Sequence, residues 1–216
     1  MTICPSPETV QQNVAQIRRR VEQAARSCGR DPKEITIMAV TKTVEPPAIN
    51  EAIRQGLTLL GENKVQEFLD KREQYLPATV HFIGNLQTNK VKYIIDKVAM
   101  IQSVSSEKLA QEIEKQAAKH NLVMPVLLEV NIGHEETKGG FSPEELYQAL
   151  PRLAEMEHLS VQGLMCIPPV EDAEQFLQRM EQIFIDIREK NIHNINMSVL
   201  SMGMSGDFEA AICHGS

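Results

Sequence analysis

The run Ile35-Thr36-Ile37-Met38-Ala39-Val40 is apolar or β-branched at every position and ends on Thr41-Lys42. An unbroken run of this kind predicts a buried strand covered on both faces. Thr43-Val44-Glu45-Pro46-Pro47 breaks it and opens a helix. Further strand-like runs fall at 57–60, 79–83, 99–104, 125–131, 160–166 and 196–201. Helical patterns lie between them near 46–55, 62–74, 88–97, 105–120, 142–156 and 171–190, with a short helix near 206–213. A longer helix precedes them all. Its apolar stripe is Val10, Val14, Ile17, Val21, Ala24 and Cys28, and Gly29 ends it. Ser142-Pro143-Glu144-Glu145 is a helix start, with serine at the N-cap and proline in the first turn.

Strict alternation of strand and helix implies a parallel sheet with helices outside it. The pattern therefore predicts an α/β fold of the TIM-barrel, (β/α)8 type with an extra N-terminal helix. Only seven strand–helix units can be counted, and the eighth strand that closure requires is missing. A doubly wound open sheet is the alternative. It is weakened because no G-x-G-x-x-G follows the first strand. No linker, charge block or low-complexity segment divides the chain, so residues 1–216 are read as a single barrel domain.

Composition narrows the function. The four cysteines, Cys4, Cys28, Cys166 and Cys213, form no C-x-x-C pair. Their spacing argues against zinc and against a disulfide framework, and fits a reducing compartment. The first residues lack the basic and apolar regions of a signal peptide, and no apolar run is long enough to span a bilayer. A soluble cytoplasmic protein without membrane association is expected. The net charge of −7 disfavours nucleic acid as a partner. Arg18-Arg19-Arg20 is the one dense basic run and reads as a solvated helix face.

The candidate chemistry gathers at strand ends, where ligands sit in this fold class. A surface charge is the plain reading of Lys42. A lysine held between a barrel wall and its loops is instead partly desolvated and nucleophilic toward a carbonyl. Pyridoxal phosphate (PLP) is the common aldehyde held in that way. It needs an anion site, and Ser201-Met202-Gly203-Met204-Ser205-Gly206-Asp207 offers one between a strand and a helix. An ordinary glycine turn is the alternative there. Asn63, after the second strand, is either a ligand donor or a first-turn helix residue. His81 could also donate, although a hydrogen-bonded core histidine is the simpler reading. Asn131 to Gly140 forms a long polar exit from the fifth strand and reads as a lid or a flexible loop. His134 and Glu135 lack metal-ligand spacing, so no metal is assigned.

Ala39-Val40-Thr41-Lys42, Gly61-Glu62-Asn63, His81-Phe82-Ile83-Gly84-Asn85-Leu86-Gln87 and Leu200 to Asp207 together resemble the PLP homeostasis proteins, the YggS/PROSC family. The resemblance runs along nearly the whole chain. It implies a barrel like the N-terminal domain of alanine racemase, with PLP held on Lys42 as a Schiff base. It also implies phosphate contacts from Ser205 and Gly206, with Met204 and Asn63 near the pocket. With Gly203 and His81 these complete the candidate cofactor-binding set. The family pattern continues into a strand bearing Arg-x-Gly-Thr, which faces the pyridine nitrogen and completes the phosphate cup. This sequence stops before it, so a shortened C-terminal end is expected, or else weak cofactor binding and an unpaired barrel edge.

The role so implied is to buffer and deliver PLP inside the cell, without catalysis of its own. Amino-acid and keto-acid balance would be affected indirectly. A monomer is expected, with apo PLP-dependent enzymes as possible recipients. A PLP-dependent racemase is the alternative. It needs acid–base groups on both faces of the cofactor. Tyr75, Tyr93 and Tyr147 all fall in helical patterns away from strand ends, which favours the carrier.

Overall fold

The computed structural model describes residues 4–135, 137–169 and 171–216. Among them, seven parallel strands form one sheet in sequence order: β1 (Ala39–Val40), β2 (Leu59–Glu62), β3 (Thr79–Phe82), β4 (Met100–Val104), β5 (Met124–Glu129), β6 (Leu159–Met165) and β7 (Ile195–Ser201). Helices alternate with them: α2 (Pro46–Arg54), α3 (Val65–Lys71), α4 (Val91–Ile94), α5 (Glu107–Lys119), α6 (Pro143–Ala154), α7 (Ala173–Glu189) and α8 (Phe208–Cys213). Helix α1 (Pro7–Ser27) precedes the first strand. This is the TIM-barrel-like α/β architecture that the alternation predicts. The expected cap at Ser142 is a complete capping box with Glu145.

The sheet curls strongly. Ser201 on β7 donates its hydroxyl to Gln102 on β4 at 2.8 Å, although two strands, β5 and β6, lie between them in sheet order. Two such distant strands touch only when the wall bends round on itself. The space between wall and helices holds the main core, built on Phe82, Ile101, Val126, Leu128, Val161 and Leu164 with the buried faces of α4 to α7.

β1 and β7 are the two outer strands, and α1 ties them together. Its first half places Val10 and Val14 against Ala48 and Leu57, beside α2. Its second half places Val21, Ala24 and Ala25 against Ile212 and Phe208 of α8. Ile37, just before β1, packs into both clusters. Ile17, expected in the stripe, falls between these two patches and is 36% exposed. Arg20 is more than a solvated face residue. It forms two hydrogen bonds with the Glu209 carboxylate, at 2.9 and 3.0 Å, and lies 4.5 Å from the centroid of the Phe208 ring. The Arg30 guanidinium donates to the carbonyls of Ile212 and Ser216.

The first strand departs from the expectation. Only Ala39 and Val40 enter the ladder, against Leu60 and Gly61, and Val40 is 47% exposed. β1 has a neighbour on one side only, and composition alone does not reveal which strand lies at the edge of the sheet. β2 extends two residues beyond its expected end, so Gly61 and Glu62 are strand rather than exit.

Helix α1 is thus the element that joins the two edges of the sheet. Ile212→Ala empties the α1–α8 contact and is expected to lower stability by about 2–4 kcal/mol, read from urea unfolding. Ile212→Val is expected to lose about 1 kcal/mol.

Candidate functional site

All seven strands are parallel, so their carboxyl ends share one rim. Lys42 stands there after β1, Asn63 after β2, and Gly203 to Gly206 after β7. His81 lies inside β3, one position before its end. Every candidate residue of the sequence reading therefore comes from this end of the wall. One expectation is not met. Lys42 is exposed rather than desolvated, because β1 is an outer strand.

The turn that carries Lys42 is fixed from three sides. Thr41 pairs its amide with the Gly61 carbonyl at 3.0 Å, and its hydroxyl donates to Glu62 Oε1 at 2.6 Å. Glu62 is fully buried, and the same oxygen accepts the Tyr75 hydroxyl at 2.6 Å. The Lys71 ammonium reaches the carbonyls of Thr41 and Val44 at 3.2 and 3.0 Å, and Glu67 at 2.7 Å. Glu67 in turn accepts the Thr43 amide at 2.6 Å. Burial pushes the Glu67 carboxyl up. The bonds from Lys71 and Thr43 outweigh it and hold the group below its usual range. Thr43 has φ +59°, a left-handed conformation that is strained for a β-branched residue. The surrounding bonds hold that strain directly beside Lys42.

The turn after β7 is built for close approach. Gly203 has φ +95°, and a Cβ there would lie 2.7 Å from the Ala211 Cβ. The Met204 amide is taken by the Asp207 carboxylate at 2.5 Å, and the amides of Asp207 and Phe208 donate to the Met204 carbonyl. Among the described residues, the amides of Ser205 and Gly206 have no partner. Both residues are exposed, and a Cβ on Gly206 would meet nothing within 4 Å. Two free amides beside a serine hydroxyl are what an oxyanion needs. Met204, in the same turn, is 53% exposed.

Inside the wall a polar chain runs from Ser201 through Gln102 to His81. Gln102 accepts from Ser201 through Oε1, so its Nε2 donates to His81 Nδ1 at 2.8 Å. A ring nitrogen that accepts is unprotonated, which leaves the neutral His81 with its proton on Nε2. Burial also lowers the His81 pKa. Asn63 Oδ1 is buried without a partner, and Gly84 packs so closely on the Asn63 backbone that a Cβ there would lie 2.0 Å from its carbonyl oxygen. Glu129, at the end of β5, is held protonated more readily than usual by burial. The Cys166 thiol is pushed up to about 12, mainly by burial.

Residues 11–216 match the protein family described as the alanine racemase N-terminal domain. A pyridoxal phosphate homeostasis protein of Aquifex aeolicus is 41% identical over 210 residues, covering 94% of this chain and 91% of that protein. The chain belongs to the pyridoxal phosphate homeostasis protein family. Two solved structures share its fold. An unknown protein from Bifidobacterium adolescentis superposes with a TM-score of 0.93 at 28% identity, over 100% of this chain and 94% of that one. PipY of Synechococcus elongatus, solved with PLP bound, gives 0.79 at 26% identity, over 91% of this chain and 94% of that one.

Several groups around this family member's site escaped the sequence reading. Glu62 looked like the first residue of a helix, yet it is the buried anchor of Thr41. Its apolar neighbours Leu59 and Leu60 were the available signal. Glu67 and Lys71 carried the i, i+4 spacing of a helix pair, but nothing in the chain showed that the pair faces the Lys42 turn. Gln102 and Ser201 alternate into the wall from separate strands, and only the curvature joins them.

Glu62→Ala removes the acceptor of the half-buried Tyr75 hydroxyl and leaves the buried Thr41 hydroxyl only its longer bond to the Gly61 carbonyl, at 3.3 Å. It is expected to lower stability by about 2–4 kcal/mol, whereas Glu62→Gln, which keeps one carbonyl acceptor, loses less. His81 supplies a pH test. Its folded pKa is below the unfolded value of 6.5, so the unfolded chain takes up the proton first. The stability tied to neutral His81 is present above pH 6.5 and is lost as pH falls through the folded pKa. His81→Asn is expected to flatten this acid dependence in urea midpoints measured between pH 5 and 7.

Proposed function

We infer that this chain is a non-catalytic PLP carrier of the cytoplasm. It holds the coenzyme as a Schiff base on Lys42 and contributes to vitamin B6 homeostasis, with indirect effects on amino-acid and keto-acid balance. The observation that carries this reading is the placement of one exposed lysine, on a rigid turn, at the same sheet rim as a turn with two unpartnered amides. When bound, PLP supplies an aldehyde that condenses reversibly with an amine, and a phosphate dianion.

The residues fit that group. Ser205 and Gly206 would hold the phosphate through their amides, with the Ser205 hydroxyl as a third donor. Gly203 lets the turn fold under them. Asn63, whose buried Oδ1 lacks a partner, and His81, with its proton on Nε2, add polar contacts to the pocket. The Lys42 amine is exposed, so an incoming amine can reach it and exchange. The chain then works as a single-domain monomer that passes its cargo to apo PLP-dependent enzymes.

The lack of catalysis rests on what the other titratable groups do. Racemisation requires a base on each face of the cofactor. Tyr75 lies half-buried, and burial with the Glu62 hydrogen bond raises its pKa far above the ordinary value. Tyr93 is exposed on α4, and Tyr147 sits on α6. The buried Cys166 thiol stays protonated at neutral pH.

Full-length protein incubated with PLP is expected to turn yellow and, after borohydride, to gain one pyridoxyl group on the Lys42 peptide. Lys42→Ala is expected to lose both signals. Gly206→Glu brings a carboxylate to the free amides, and is expected to weaken PLP binding at least tenfold with little change in thermal midpoint. Colourless protein that takes up no PLP overturns the carrier. Lys42-dependent interconversion of L- and D-alanine replaces it with the racemase.

A further inference from the structure

Two of the four cysteines meet at the junction that closes the sheet. Cys28 is the C-cap of α1 and Cys213 is the last residue of α8. Both sulfurs approach the Ala24 carbonyl oxygen, Cys28 Sγ at 3.0 Å and Cys213 Sγ at 3.9 Å. Both are free thiols. Cys213 is exposed and Cys28 half-buried, and a shallow groove of about 400 Å³ lined by Arg20, Ser27, Glu209 and Cys213 opens beside them. Cys4 is exposed near the start of α1, and Cys166 is buried directly after β6, so neither belongs to this cluster.

We propose that Cys28 and Cys213 form a thiol–disulfide exchange site, which small disulfides such as oxidised glutathione convert to an intramolecular bridge between α1 and α8. The accessible Cys213 sulfur, once deprotonated, attacks one sulfur of the oxidant and releases one glutathione thiolate. The Cys28 thiolate then attacks the Cys213 sulfur of the mixed disulfide and releases the second glutathione. Two protein thiols are oxidised to one disulfide, the oxidant is reduced to two glutathione thiols, and the two protons end on those thiols. The Cys28 hydrogen bond and partial burial raise the Cys213 pKa, so the exchange is slow at neutral pH and accelerates with alkalinity.

The bridge has a consequence for the rim. Helix α8 begins directly after the 203–206 turn, and Gly203 packs against Ala211 of that helix. Tying the end of α8 to α1 restrains the scaffold beneath the two free amides. This effect rests on the carrier reading, and the oxidised chain is expected to release PLP several-fold more slowly than the reduced one.

The test treats full-length protein with oxidised glutathione at pH 8 and maps peptides without reduction. A Cys28–Cys213 cross-linked peptide, absent in Cys213→Ser, retained in Cys4→Ser and reversed by dithiothreitol, supports the site. Glutathione on Cys213 with no cross-link at equilibrium overturns it, as does a bridge that joins two separate chains. The map needs no cofactor, so a failure of PLP binding leaves this result standing. Where the bridge forms and stopped-flow PLP release is unchanged, the link between the bridge and the rim is wrong.

Discussion

A curved parallel sheet with two outer strands depends on something to join them. Here the join is hydrophobic and made by one helix. Each half of α1 packs on a helix that follows an outer strand, α2 after β1 and α8 after β7. Ile37 sits where the two contacts meet. Apolar packing of this kind is non-directional, so it tolerates the poor backbone geometry that an outer strand of two residues would otherwise make untenable. The bidentate Arg20–Glu209 pair adds orientation more than energy, because both side chains remain substantially exposed.

With the edges joined, the wall can support chemistry at its rim. The Lys42 turn shows how the support is built. Among the described residues, no hydrogen bond or ion pair holds the Lys42 ammonium; its neighbours are held instead. Thr41 is anchored by a buried carboxylate, Thr43 by Glu67, and the carbonyls of Thr41 and Val44 by Lys71. The strained φ of Thr43 persists because these bonds over-determine the backbone. Inside the wall, the Ser201–Gln102–His81 chain settles which imidazole nitrogen carries the proton. Main-chain position and proton location are therefore both set one layer behind the rim residues.

Much of this architecture was legible in the chain because parallel α/β folds write their period plainly. Apolar runs mark the strands, and glycine and proline mark the ends. The rim residues Lys42, Asn63 and Ser205 were also readable, since each follows a strand. The supporting layer was hidden for a different reason. Glu62, Gln102 and Ser201 are polar residues at strand positions, and a linear pattern cannot say whether such a residue faces solvent or a partner across the wall. The exposure of Lys42 is hidden from the linear pattern in the same way. Its exposure follows from β1 lying at the edge, which is a property of sheet order rather than of the local run.

The two-residue ladder of β1 has one more implication. Cooperative opening in a protein starts where few backbone bonds and few buried contacts must be broken together. β1 meets that description better than β5, β6 or β7, whose ladders are longer. The amine is therefore mounted on the segment of the wall whose amides exchange with solvent earliest. Local opening there would loosen the rim around Lys42 while the rest of the sheet stays intact.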